Sequence, residues 1–197
     1  STLLRLLGSI HMPVSGDVLY DGVPGAKLNP QSLQTQIGFV GQQSVLFRGT
    51  ILENLTGFRE GPTVDAALTI GSALGLDEKV ALLPAGLDTK VGEIPSEALP
   101  PGMSQQIALV RAFATKPAIA LLDEAGANFD SLDVARMCDY LKSLKRRTTI
   151  VFATHHPAIR QIADRHLHVA NGIVTEIAAG TENATDTPSA TTDAGAP

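Results

Sequence analysis

Ala118-Ile119-Ala120-Leu121-Leu122-Asp123-Glu124 is an apolar run that stops abruptly at two adjacent carboxylates. Preceded by Pro117 and ended by charge, a run of this length reads as a fully buried strand of a parallel sheet. Asp123 and Glu124 then stand at its carboxyl end. In open α/β sheets ligands bind at that end, so two acids there are candidates for holding a metal and activating a water. An apolar run ending in Asp-Glu is common by itself, and its meaning depends on the polar residues that accompany it.

Downstream, residues 131–145 read as a helix with Leu132, Ala135, Cys138 and Leu141 inward. The β-branched run at 149–153 is the next strand and delivers Thr154 and His155 to the same rim as the acids if the sheet is parallel. An Asn171-Gly172 turn joins strands at 166–170 and 173–177, because Asn-Gly suits the positive φ values of a tight hairpin. Upstream, 104–115 is helical, with Ile107, Ala108, Val110 and Ala112 on its apolar face, and residues 92–102 form a proline-rich loop. Residues 62–83 read as helix, with Thr63 as N-cap and Val64, Ala67, Leu68, Leu74 and Leu82 apolar. A strand at 37–40 runs into the polar loop Gly41-Gln42-Gln43, residues 17–22 beyond a turn at 13–16 read as a strand ending in a turn, and residues 1–7 open the chain as a helix. Alternating strands and helices of this kind predict an α/β fold with a mainly parallel sheet.

The 197 residues suffice for one domain with a substantial core. Their 44% hydrophobic and 18% charged content is that of a globular protein, and no apolar run approaches the ~18 residues of a membrane span. A net charge of −5 and a pI near 5.5 argue against a nucleic-acid surface. Lys142, Lys145, Arg146 and Arg147 cluster where cations suit the end of a helix dipole. The single cysteine, Cys138, excludes an internal disulfide and fits a packing role in a reducing compartment. Residues 178–197 are Ala, Thr, Asp, Gly and Pro with almost nothing to bury, and are expected to be a disordered tail in which Asn183-Ala184-Thr185 matches a glycosylation triplet by chance. The opening at Ser1, directly into an apolar helix, reads as a piece of something longer.

In order, then, the polar pieces are a Ser-Thr opening a helix, a Gln after a strand, a loop containing Gly102 that opens a helix, Asp-Glu after a strand, and His after the next strand. With this ordered set the chain resembles the nucleotide-binding domain of ATP-binding cassette (ABC) transporters, over residues 1–177. The resemblance implies a P-loop NTPase-like, mainly parallel sheet with a helical subdomain inserted at about 55–116. It implies ATP and Mg²⁺ as ligands, ATP hydrolysis within a dimer, a transmembrane domain fused or separate, and a place on the cytoplasmic face of a membrane. Ser1-Thr2-Leu3-Leu4 resembles the end of the phosphate-binding loop, with Ser1 and Thr2 at the nucleotide and the Ser1 hydroxyl on Mg²⁺. By the same resemblance Gln42 is the Q-loop glutamine that meets metal and water, Asp123 the Mg²⁺-binding aspartate and Glu124 the general base. His155 is the switch histidine that holds water and base in line, and Asp130 is the D-loop aspartate that communicates across the dimer. Residues 47–55 and 83–93 look like exporter-type cassettes, with a type I secretion transporter as the narrower guess.

The chain departs from this pattern at Leu99-Pro100-Pro101-Gly102-Met103, which stands where the family has its signature Leu-Ser-Gly-Gly-Gln. In the family that segment of one subunit grips the γ-phosphate held by the other, and here Pro100 has no hydroxyl and neither proline an N–H. Two or three charge-assisted hydrogen bonds at about 1.5–3 kcal/mol each would be lost, crippling one ATP site. An asymmetric pair is therefore expected, in which Glu124 and His155 serve a site completed by a partner's intact signature. The glycines and Lys that precede the Ser in the family's loop are not among these residues, so weak or no ATP binding by the 197 residues alone is also expected. The rival reading is a non-catalytic, degenerate ABC subunit with a binding or regulatory role.

Overall fold

The computed structural model describes residues 1–92 and 99–178. The described residues divide into two compact units, one up to Ile162 and the other from Ala163. Much of the expected tail, including the triplet at 183–185, lies outside the described residues, as do 93–98 of the predicted loop and Glu93 of the exporter-like segment.

Helix α1 (Thr2–Leu7) buries Leu4. Strands β1 (Leu19–Tyr20) and β2 (Val23–Pro24) pair antiparallel around Asp21-Gly22. Both turn residues have positive φ, 49° and 79°, so the strand predicted over 17–22 ends in its expected turn, is shortened to Leu19–Tyr20 and is returned by β2 as a tight hairpin. Helix α2 (Pro30–Gln36) is capped by Asn29, whose side chain accepts from the Ser32 N–H, and leads directly into β3 (Ile37–Val40). A capping box between Thr50 and Glu53 joins β4 (Gly49–Thr50) to α3 (Ile51–Thr56).

The single helix expected over 62–83 is two, α4 (Pro62–Ala73) and α5 (Leu76–Val80), because Gly75 adopts a left-handed conformation with φ 71° between them. Its N-cap is Gly61 rather than Thr63, with Pro62 in the first turn, where a missing N–H costs nothing. The break restarts the periodicity. Ala67, Ile70, Leu74, Leu76 and Val80 are buried, whereas Leu68 and Leu82 are exposed. Strand β5 (Lys90–Val91) pairs with β4, and α6 (Pro101–Ala114) begins three residues before the predicted start, taking in the end of the predicted loop.

The remaining elements of the first unit are β6 (Ile119–Asp123), α7 (Ser131–Ser143), β7 (Thr149–Ala153) and α8 (Pro157–Gln161). Strands β3, β6 and β7 form a parallel sheet in that order, with Val40 opposite Leu122 and Asp123 opposite Ala153. Helix α6 lies against β3 so closely that a Cβ on Gly38 would stand 2.7 Å from the Ala112 carbonyl oxygen. On α7 the inward residues are Val134, Met137, Cys138 and Leu141, while the predicted Leu132 and Ala135 face outward. Asp133 sets this phase, because its buried carboxylate is tied into the protein. In the second unit β8 (His166–Ala170) and β9 (Ile173–Ile177) form the predicted hairpin, pinned by Arg165 on Glu176 at 2.8 Å.

A polar network joins the inserted helices to α7. Lys79 on α5 donates to Asp133 Oδ2 at 2.6 Å and to Gln106 Oε1 at 3.1 Å. Gln106 on α6 in turn donates to Asp133 Oδ1 and to the Leu74 carbonyl, each at 3.0 Å. Asp133→Ala strands two donors and is expected to lower the unfolding free energy by about 2 kcal/mol. Asp139→Ala opens only the exposed pair with Lys142 and should cost less than about 0.5 kcal/mol. Urea titration of the two variants separates these outcomes. Burial also pushes the Cys138 thiol up, so it should alkylate with iodoacetamide at neutral pH only as the protein unfolds.

Candidate functional site

The sheet register builds the site. Asp123 is the last residue of β6, and Glu124 continues the ladder by one bond, its N–H donating to the Ala153 carbonyl at 2.9 Å. At Glu124 the backbone then turns out of the sheet with φ 52°, a left-handed conformation that costs a residue with a Cβ about 1–2 kcal/mol. Non-glycine residues held this way are those whose position the surroundings over-determine. On the neighbouring strand, the Thr154 hydroxyl accepts from the His156 N–H at 3.1 Å and bends the chain just past β7. His155 is thereby thrown into solvent, and its Nε2 lies 3.5 Å from Glu124 Oε1.

Asp123 is buried, at 4% exposure. Among the described residues no hydrogen bond to its carboxylate is formed, and the Ser1 backbone nitrogen lies 3.9 Å from Oδ1. Ser1 stands at the N-cap of α1 without using its hydroxyl as a cap. A desolvated carboxylate, with a serine that does not spend its hydroxyl on capping at the neighbouring helix start, offers oxygen donors of the kind Mg²⁺ takes together with water and substrate phosphates. No cluster of three or more His, Cys, Asp or Glu side chains occurs among the described residues, so a site for a softer, all-protein-ligated metal is not formed by them.

The structure thus gathers Ser1, Asp123, Glu124 and His155 at one rim, and Thr2 follows as the first residue of α1. Gln42 belongs to the same rim by register, two residues past Val40 as Glu124 is two past Leu122, and it is exposed. Pro100 caps α6, Pro101, Gly102 and Met103 make its first turn, and Leu99 precedes it half-buried. Asp130 is the N-cap of α7, its Oδ1 accepting from the Asp133 N–H at 2.8 Å.

Several residues that shape the site carry no motif. The Asn54 side chain clamps the Phe47 main chain, accepting from its N–H at 2.8 Å and donating to its carbonyl at 2.9 Å. Arg111 donates to the Val45 carbonyl at 2.9 Å and lies 4.8 Å from the centre of the Phe47 ring. Together they hold the loop that starts at Gln42. Burial lowers the Arg111 pKa, though it stays charged. The only sequence signal for these anchors was a polar side chain inside an otherwise apolar helical stretch.

The model of the family described as ABC transporter matches residues 1–127. The chain belongs to the ABC transporter family. It is 35% identical over 176 residues to the mycobactin import ATP-binding/permease protein IrtB of Mycobacterium tuberculosis, covering 89% of this chain and 30% of that protein. It is 38% identical over 164 residues to multidrug resistance protein 3 of Entamoeba histolytica, covering 81% of this chain and 12% of that one. A solved structure of a bacterial Atm1-family ABC exporter with ATP bound superposes with a TM-score of 0.80 at 29% identity, over 87% of this chain and 30% of that one. The chain therefore spans less than a third of the length of these ABC relatives. The P-loop NTPase-like α/β reading holds, and no helix among the described residues is long and apolar enough to cross a membrane.

Gly126, two residues past Glu124, has φ 96°, and a Cβ there would stand 3.0 Å from both Met137 Cε and Ile159 Cδ1. Gly126→Ala is expected to lower stability by about 1–3 kcal/mol, combining backbone strain with overpacking, and thermal unfolding measures it.

Proposed function

We propose that this chain is the ATP-hydrolysing module of an export-type ABC transporter, working on the cytoplasmic face of the membrane as one of two cassettes closed around ATP and Mg²⁺. The observation that carries this is the 3.5 Å approach of His155 Nε2 to Glu124 Oε1 beside the buried Asp123 carboxylate. Asp123 and the Ser1 hydroxyl would hold the metal, with Gln42 reaching it from the neighbouring strand. When bound, Mg²⁺ supplies neutralisation of phosphate charge. Glu124 takes the proton of the attacking water, and His155 orients Glu124 and that water toward the γ-phosphate. The export assignment is supported by the sequences at 47–55 and 83–93, which resemble exporter cassettes, and by the likeness to the Atm1-family exporter. A transmembrane domain is the implied partner, since the relatives IrtB and the Haemophilus influenzae protein are named as ATP-binding/permease proteins.

Pro100 and Pro101 support an asymmetric pair. They begin α6 without strain, leaving the helix intact while removing a hydroxyl and two N–H groups from its exposed end. A partner's intact signature would complete the site of Glu124 and His155, and the proline-bearing end would face a weak one. The same prolines favour a second reading, a non-catalytic regulatory subunit. Glu124→Gln in the reconstituted pair decides between them. The first reading expects turnover to fall by about 10²- to 10⁴-fold. Unchanged turnover would leave only the second. Pro100→Ser with Pro101→Gly should raise turnover of the pair under the first reading, measured as phosphate release.

A further inference from the structure

Three main-chain groups of the segment that leaves β6 converge on one side chain. Gln105 of α6 donates from Nε2 to the Glu124 carbonyl at 3.2 Å. Its Oε1 accepts from the Gly126 N–H at 3.1 Å and the Asn128 N–H at 3.4 Å. The orientation of the amide follows, since only the oxygen can accept and only the nitrogen can donate. Gln105 is 1% exposed, so water cannot replace it, and removing it would leave buried main-chain groups unpaired. One turn earlier on the same helix face, a Cβ on Gly102 would stand 2.7 Å from the Asn128 carbonyl oxygen. Helix α6 and residues 124–128 are thus joined at two levels.

Glu124 lies at the start of this clamped segment. Its N–H is held by Ala153 on β7, and its carbonyl by Gln105 and by the Ala127 N–H at 3.1 Å. Both peptide planes flanking the Glu124 Cα are therefore fixed, and with them the left-handed φ that aims the side chain at His155. We infer that Gln105 is a positioning residue for Glu124, acting through the main chain and not by touching the reacting atoms. Glutamine suits the task because one planar amide offers a donor and an acceptor a fixed distance apart. An ionised glutamate cannot donate, and methionine of similar size cannot donate and accepts only weakly. The inference rests on the proposed role of Glu124 in ATP hydrolysis and extends it to α6, the helix that begins at Pro100.

The test uses the full-length protein. Gln105→Met should lower kcat by about 10- to 100-fold, the scale of a misplaced catalytic group, while KM for ATP stays within about twofold. Gln105→Glu, equal in size but unable to donate to the Glu124 carbonyl, should show the same split. Wild-type kcat in either folded variant, or a KM that rises as kcat falls, would overturn the inference. Hydrogen exchange of the wild-type peptide spanning 124–129 decides independently of any variant's folding. Protection equal to that of α6 is expected, and rapid exchange would refute the clamp. Absence of ATP turnover in the wild type would instead sink the proposed function, with the exchange result still judging the clamp.

Discussion

Parallel pairing of β6 with β7, Asp123 opposite Ala153, is the constraint from which the chemistry follows. In a parallel sheet both strands leave in the same direction, so their next residues emerge on one rim and alternate faces together. Glu124 and His155 are one and two residues beyond that pair, and their side chains meet because the ladder continues for one more bond before the chain turns. A slip of one residue would send Asp123 to the other face and separate the acid from the imidazole. Leu121 and Leu122, on opposite faces of β6, are both buried, so the strand is covered on its two sides.

Around this rim the protein relies on polar side chains buried in apolar surroundings. Gln105, Gln106, Asn54 and Asp133 are each almost wholly excluded from solvent, and each satisfies main-chain or charged groups of a different element. A bond of this kind adds little net stability but is costly to break, so it favours one arrangement over its alternatives. Lys79, Gln106 and Asp133 connect the inserted helices to α7, and Gln105 connects α6 to the segment after β6. Two adjacent glutamines on α6 therefore point to different places, one to the segment that begins at Glu124 and one to the inserted helices. Movement of α6 is felt at both.

The prolines at the start of α6 illustrate how fold and chemistry separate. A helix tolerates proline in its first turn because those N–H groups have no intrahelical partner, so Pro100 and Pro101 leave the packing of Met103 and Ile107 undisturbed. An anion at that end would meet fewer donors. The helix is preserved while its first turn loses donors.

Periodicity and local chemistry determined much of this chain. The three parallel strands, the Asn-Gly hairpin, the helix after Asp130 and the rim that carries Asp123, Glu124 and His155 are legible from apolar runs that end in charge. Such patterns are set by burial of consecutive residues and are read without knowing their neighbours. What they could not yield is the break at Gly75, the return of β1 as a hairpin with β2, the phase of α7 and the clamps made by Gln105, Asn54 and Arg111. Each depends on contacts between residues far apart in the chain. Asp133 faces inward because Lys79, 54 positions earlier, meets it, and Gln105 is buried because the segment after β6 needs its amide. A polar residue's place is decided by its partner, and only the folded chain brings the partner there.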